Sequence, residues 1–104
     1  MANLNECVNG NWTADDGAHD GGVSYGHGFC ISWQRGPLNE AGRNGAFLIE
    51  VLEACLSQVV YFQSSKYACD ENALAIEKLD EAIDALRSRR SRRASDGTLG
   101  TSKV

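Results

Sequence analysis

Apolar and polar residues alternate from Val23 to Gln34. Val23, Tyr25, His27, Phe29, Ile31 and Trp33 interleave with Ser24, Gly26, Gly28, Cys30 and Ser32. A period of two predicts one strand with an aromatic, mostly buried face, and Gly36-Pro37 ends it. Residues 1–22 are rich in turn formers (Asn9-Gly10-Asn11, Asp15-Asp16-Gly17, Asp20-Gly21-Gly22). They predict loops around at most one short strand near Trp12. A lone strand leaves its backbone unsatisfied, so it must pair with this amino-terminal segment or with another subunit.

From about Asn44 the period becomes helical. Leu48, Leu52, Cys55, Val59 and Phe62 form one stripe, with Cys55 a small core residue. Ala46, Phe47, Ile49, Val51, Leu56 and Val60 widen the apolar surface well beyond that stripe. A helix apolar on several sides is covered on several sides, and in so small a chain the natural cover is another copy. Ser64-Ser65-Lys66 reads as a connection and Asp70 as the N-cap of a second helix running to about Arg93. Ile76, Leu79, Ile83 and Leu86 repeat with a 3-4-3 spacing that suits antiparallel packing on the first helix. Glu71, Glu77, Asp80, Glu81 and Asp84 form its solvated side. From Ser95 onward a turn or extended tail is expected.

The pattern predicts an α+β fold: a short amino-terminal antiparallel β layer, then an antiparallel two-helix hairpin, assembling as an oligomer. With 104 residues the chain has room for one domain, 1–104. Within it, 1–40 is the β-rich segment, 41–94 the hairpin and 95–104 the tail. A domain of this size buries a modest share of its surface, which association can supplement.

Charge changes the picture next. The net charge is −4. Residues 1–86 carry four Lys/Arg against thirteen Asp/Glu, a balance of −9, whereas 87–93 hold five arginines in seven positions. Such asymmetry suggests one anion-binding end on an acidic body. Met1–Glu6 lacks the basic start and apolar run of a signal peptide, and no stretch approaches the roughly 20 apolar residues of a membrane span. Cys7, Cys30, Cys55 and Cys69 contain no CxxC pair, which argues against a zinc knuckle and for free thiols.

Catalytic signatures are missing from the chain: it has no Walker-type loop, HExxH or GxSxG. His19 reads as a surface loop residue, and His27 as that or as a pocket-facing one. Neither has a carboxylate pair at useful spacing, so a general acid and base cannot be assembled. No metal or cofactor is expected.

The arginine cluster is more informative. Arg89 and Arg93 share one helix face, since they stand four apart. A guanidinium offers phosphate two parallel hydrogen bonds and never deprotonates. The alternative is a solvated helix end whose charges oppose the dipole. Aromatic rings are the second ingredient of nucleotide binding, and Tyr61, Phe62 and Tyr67 flank the connection. Periodicity by itself favours Phe62 in the core stripe and Tyr61 capping the hairpin. Trp33-Gln34-Arg35-Gly36-Pro37 adds an indole, an amide and a guanidinium at a strand end.

Several segments resemble a known family in order and spacing. Gly28-Phe29-Cys30-Ile31-Ser32-Trp33-Gln34-Arg35-Gly36-Pro37 is similar to its strand and turn, and Asn44-Gly45-Ala46-Phe47 to its helix start. Phe62-Gln63, Ala68-Cys69-Asp70-Glu71-Asn72-Ala73 and Ala75-Ile76 follow its hairpin, and Arg89, Arg93 and Gly100-Thr101 its ending. These residues, across about 23–101, resemble the phage Thoeris anti-defence sponges, which share a helical-hairpin domain with anti-CBASS cyclic-nucleotide sponges. The resemblance implies a non-enzymatic protein of the infected host's cytoplasm. It would bind and sequester a cyclic ADP-ribose isomer without cleaving it. It also implies hexamers built from dimers and, for some members, separate sites for cyclic di- or trinucleotides.

Carried residue by residue, the resemblance implies Phe62 stacking on adenine, Asn72 on a base or ribose edge, and Arg89 on phosphate. Trp33, Arg35, Arg43 and Arg93 are further candidates. Asp96 stands where the family pattern has an arginine, which puts a cyclic-trinucleotide site in question. The competing reading is a small phage regulator that uses the arginine helix on nucleic acid. The acidic body opposes it, because carboxylates repel a duplex.

Overall fold

The computed structural model describes residues 7–101; Met1–Glu6, read above as lacking a signal, and the last three residues of the tail lie outside the described residues. The elements are β1 (Val8–Thr13), β2 (His19–Gly26), β3 (Phe29–Trp33), α1 (Leu38–Ala41), α2 (Leu48–Gln63) and α3 (Asp70–Ser95). The architecture is α+β, as expected. Two compact units divide the chain: residues through Phe47 together with those from Gly100 on, and Leu48–Leu99.

In the first unit the strands form an antiparallel meander in the order β1-β2-β3. The strand near Trp12 is present and supplies the pairing the sequence demanded. The single strand expected over Val23–Gln34 is instead a hairpin. Gly26 pairs with Phe29 and Tyr25 with Cys30, so His27 and Gly28 alone make the turn. A two-residue turn preserves the period of two while reversing which residues face which way. Residues directly opposite share a face, so Val23 and Tyr25 lie with Cys30 and Ser32, and Phe29, Ile31 and Trp33 lie with Ser24. The aromatic set is therefore split between faces, and Tyr25 and Phe29 are exposed.

Side-chain links order this unit. The Trp33 indole N–H donates to Ser24 Oγ at 2.7 Å, and that hydroxyl donates to Asn9 Oδ1. Gly22 has φ 144°, and a Cβ there would overlap the carbonyl oxygen of Gly10. Only glycine permits so close an approach of β1. Beyond β3, Gln34 N–H donates to Ala46 O at 3.0 Å and Ala46 N–H to Ser32 O at 2.8 Å. The Asn44–Phe47 segment is thus an extended bridge beside β3, and not the helix start expected from Asn44. The short α1 was not foreseen.

In the second unit α2 and α3 form the hairpin. The 3-4-3 stripe of α3 is as predicted: Ile76, Leu79 and Leu86 are half-buried and Ile83 is 1% exposed. On α2 the shielded positions are Ile49, Val51, Leu52, Leu56, Val59 and Gln63. The expected stripe shared only Leu52 and Val59 with them. Leu48, Cys55 and Phe62 are exposed, so Cys55 is not a core residue. A helix apolar nearly all round offers no unique seam, and the partner helix chooses one.

Candidate functional site

The α2–α3 bend is closed by a side chain. Gln63 Nε2 donates to Cys69 O and Cys69 N–H donates to Gln63 Oε1, each at 3.0 Å. Cys69, not Asp70, holds the N-cap position, and its own side chain makes no cap. Ser65 Oγ donates to Phe62 O at 2.5 Å and accepts from Tyr67 N–H at 3.1 Å. Asn72 Nδ2 donates to Tyr67 O at 3.1 Å, which fixes the amide and leaves Oδ1 available.

Around this frame the rings point outward. Phe62 is 40% exposed, Tyr61 67% and Tyr67 65%. The Tyr61 and Phe62 centroids are 6.0 Å apart at 56°, and Lys66 Nζ lies 5.3 Å from the Tyr67 ring centre. Phe62 therefore does not complete the core, nor does Tyr61 cap the hairpin as periodicity suggested. Gln63, the residue that sets the bend, carried no periodic signal.

The five arginines separate into three kinds. Arg87 Nη2 reaches Glu53 at 3.5 Å, and Nη1 reaches Asp84 at 3.9 Å. Arg93 is 6% exposed and donates through Nη2 to Thr98 O at 2.8 Å. Its carbonyl accepts Thr98 N–H at 2.9 Å, while Gly97 N–H donates to Ala94 O at 3.2 Å and Gly97 has φ 73°. That is a Schellman close of α3 with Gly97 in the left-handed position. Arg89, Arg90 and Arg92 are exposed and, among the described residues, make no ion pair.

Phe62 and Asn72 share the bend, but Arg89 does not join them within one hairpin. Seventeen residues separate Asn72 from Arg89 on α3, about 26 Å along the axis. The remaining candidates belong to the first unit. Trp33 spends its N–H on Ser24. Arg35 pairs with Asp20 at 3.4 Å and lies 5.5 Å over the Trp12 ring. Arg43 Nε donates to Gly45 O at 2.6 Å, and its guanidinium stands 4.4 Å over Phe47. His27 occupies the exposed β2–β3 turn and His19 the exposed start of β2. No helix among the described residues is long and apolar enough to cross a membrane.

These features define an α+β protein whose helical hairpin offers rings and an amide at its bend and unpaired guanidinium groups toward its far end. No family model matches the chain. Over 71 residues it is 38% identical to Thoeris anti-defense 1 of Bacillus phage SBSphiJ7, covering 68% of this chain and 50% of that relative. The chain belongs to the Thoeris anti-defense family. It spans about half the length of the relative it matches.

Proposed function

We propose that this chain is a phage anti-defence protein that captures a cyclic ADP-ribose-type nucleotide and holds it without chemical change. The observation that carries the reading is the unpaired, exposed Arg89 on the helix that also presents Asn72 beside exposed Phe62. A ring supplies stacking for adenine, an anchored amide a polar edge, and a guanidinium two hydrogen bonds to phosphate. The likeness to a protein named Thoeris anti-defense 1 supports the same biological role.

Because about 26 Å separates the bend from Arg89, a compact nucleotide meets both only when two chains each give one end. The site is therefore shared between subunits of a homo-oligomer, in keeping with the family's dimer-based hexamer. Arg93 shapes the end of α3, and Arg35, Arg43 and Trp33 serve the first unit. Asp96, the C-cap residue of α3, weakens the case for an additional cyclic-trinucleotide site.

Calorimetric titration of purified protein with cyclic ADP-ribose isomers tests this. One isomer should bind stoichiometrically and return intact after denaturation; recovery of a cleaved nucleotide sinks the proposal. The nucleic-acid reading predicts instead duplex binding that weakens steeply with salt.

A further inference from the structure

We propose that Lys66 is a phosphate contact of the captured nucleotide, held at the bend beside the ring and the amide that take the base. This rests on the capture reading above and deepens it, by naming a cation for the second charge of a diphosphate. Tyr67 makes the juxtaposition. Its carbonyl accepts from Asn72 Nδ2 at 3.1 Å, and its ring centre lies 5.3 Å from Lys66 Nζ. Phe62 belongs to the same frame, because its carbonyl accepts from Ser65 Oγ and that oxygen accepts from Tyr67 N–H. Ala68 N–H donates to Ser65 O at 3.2 Å and closes the turn that carries Lys66. Ring, amide and ammonium therefore stand on one hydrogen-bonded bend.

Charge says what the ammonium is for. Lys66 is the only cationic side chain from Tyr61 to Asn72, and Asp70 and Glu71 follow it in the first turn of α3. Among the described residues it nevertheless makes no ion pair, whereas Lys78 pairs with Glu81 at 3.4 Å. Its neighbour is the face of a tyrosine, which restrains an ammonium without neutralising it. The three donors of the ammonium stay free for an incoming anion. A nucleotide bridged by two phosphates brings two negative charges, and the single guanidinium of Arg89 balances one. Taking the other out of water unpaired is costly. The carboxylates of Asp70 and Glu71 sharpen the need, since they repel a dianion unless a cation intervenes. Lys66 supplies that cation as a point charge on a flexible stem, which suits a phosphate of unfixed orientation.

The test titrates cyclic ADP-ribose isomers into the full chain, unaltered and as Lys66→Gln and Lys66→Arg. Lys66→Gln should weaken binding roughly tenfold and make it less sensitive to salt, because one charge contact is lost. Lys66→Arg keeps the charge and should restore most of the affinity. All three chains should share one urea midpoint, since Lys66 is exposed. Acetylation with acetic anhydride, read by peptide mass, should show the nucleotide shielding Lys66 and leaving Lys78 as reactive as before. Unchanged affinity in Lys66→Gln, equal losses in both variants, or an unshielded Lys66 overturns this contact and leaves capture standing. An unaltered chain that binds none of the isomers overturns capture, and this contact with it.

Discussion

Gln63 and Cys69 hold each other by two hydrogen bonds, one from the Gln63 amide to the Cys69 carbonyl and one from the Cys69 N–H to the Gln63 oxygen. The amide thus ties the backbone at the start of α3 to the end of α2, at a position whose own side chain makes no cap. Gln63→Leu removes both bonds and should destabilise the hairpin by about 1–2 kcal/mol, read as a lower urea midpoint with an unchanged slope. An unaltered midpoint would mean that water replaces the amide at no cost.

Arg89 and Arg93 share a helix face and should respond oppositely to truncation. Arg93→Ala deletes a buried bond to Thr98 O and should cost about 1–3 kcal/mol in unfolding. Arg89→Ala should leave unfolding within about 0.5 kcal/mol and weaken nucleotide binding by roughly tenfold or more. Calorimetry paired with thermal unfolding on both variants checks the contrast.

Phe62 should act on binding through its ring. Base stacking on an aromatic side chain amounts to about 1–3 kcal/mol, so Phe62→Ala should weaken nucleotide binding by roughly 5- to 150-fold. Phe62→Trp should retain it. Equal losses in both variants would assign Phe62 to packing alone.

Gly22→Ala should disrupt β1–β2 pairing, because φ 144° and the Gly10 carbonyl both exclude a Cβ. A cost of about 1–3 kcal/mol is expected. Hydrogen exchange should show amides of Val8–Thr13 losing protection first.

What could be read from the sequence follows from how many physical solutions each pattern admits. Ile76, Leu79, Ile83 and Leu86 sit on a helix otherwise charged, polar or small apart from the exposed Leu74, so one continuous seam was possible and it is the one found. On α2 hydrophobic residues surround the axis, and the choice of Ile49 and Leu56 over Leu48 and Cys55 lies with α3. The β2–β3 hairpin was hidden because alternation continues through His27-Gly28 while the faces exchange. Of the candidate site, Phe62, Asn72 and Arg89 follow from resemblance, and periodicity alone would have buried Phe62. The role of Gln63 had no periodic signal, because a hydrogen bond to a backbone six residues on leaves no repeat.

One amide elsewhere has a consequence for how this chain can change. Gln34 donates to Gly42 O at 2.7 Å and Gly36 O at 3.3 Å, and accepts from Asn44 N–H at 2.9 Å and Gly45 N–H at 3.2 Å. Asn44 returns the favour on Arg35, through N–H and carbonyl alike. The backbone accordingly leaves β3 and comes back to the same spot some ten residues later. A connection whose two ends are pinned together can gain or lose residues with little entropic penalty. That makes 35–44 the stretch where the chain length can change most readily while the sheet stays in register.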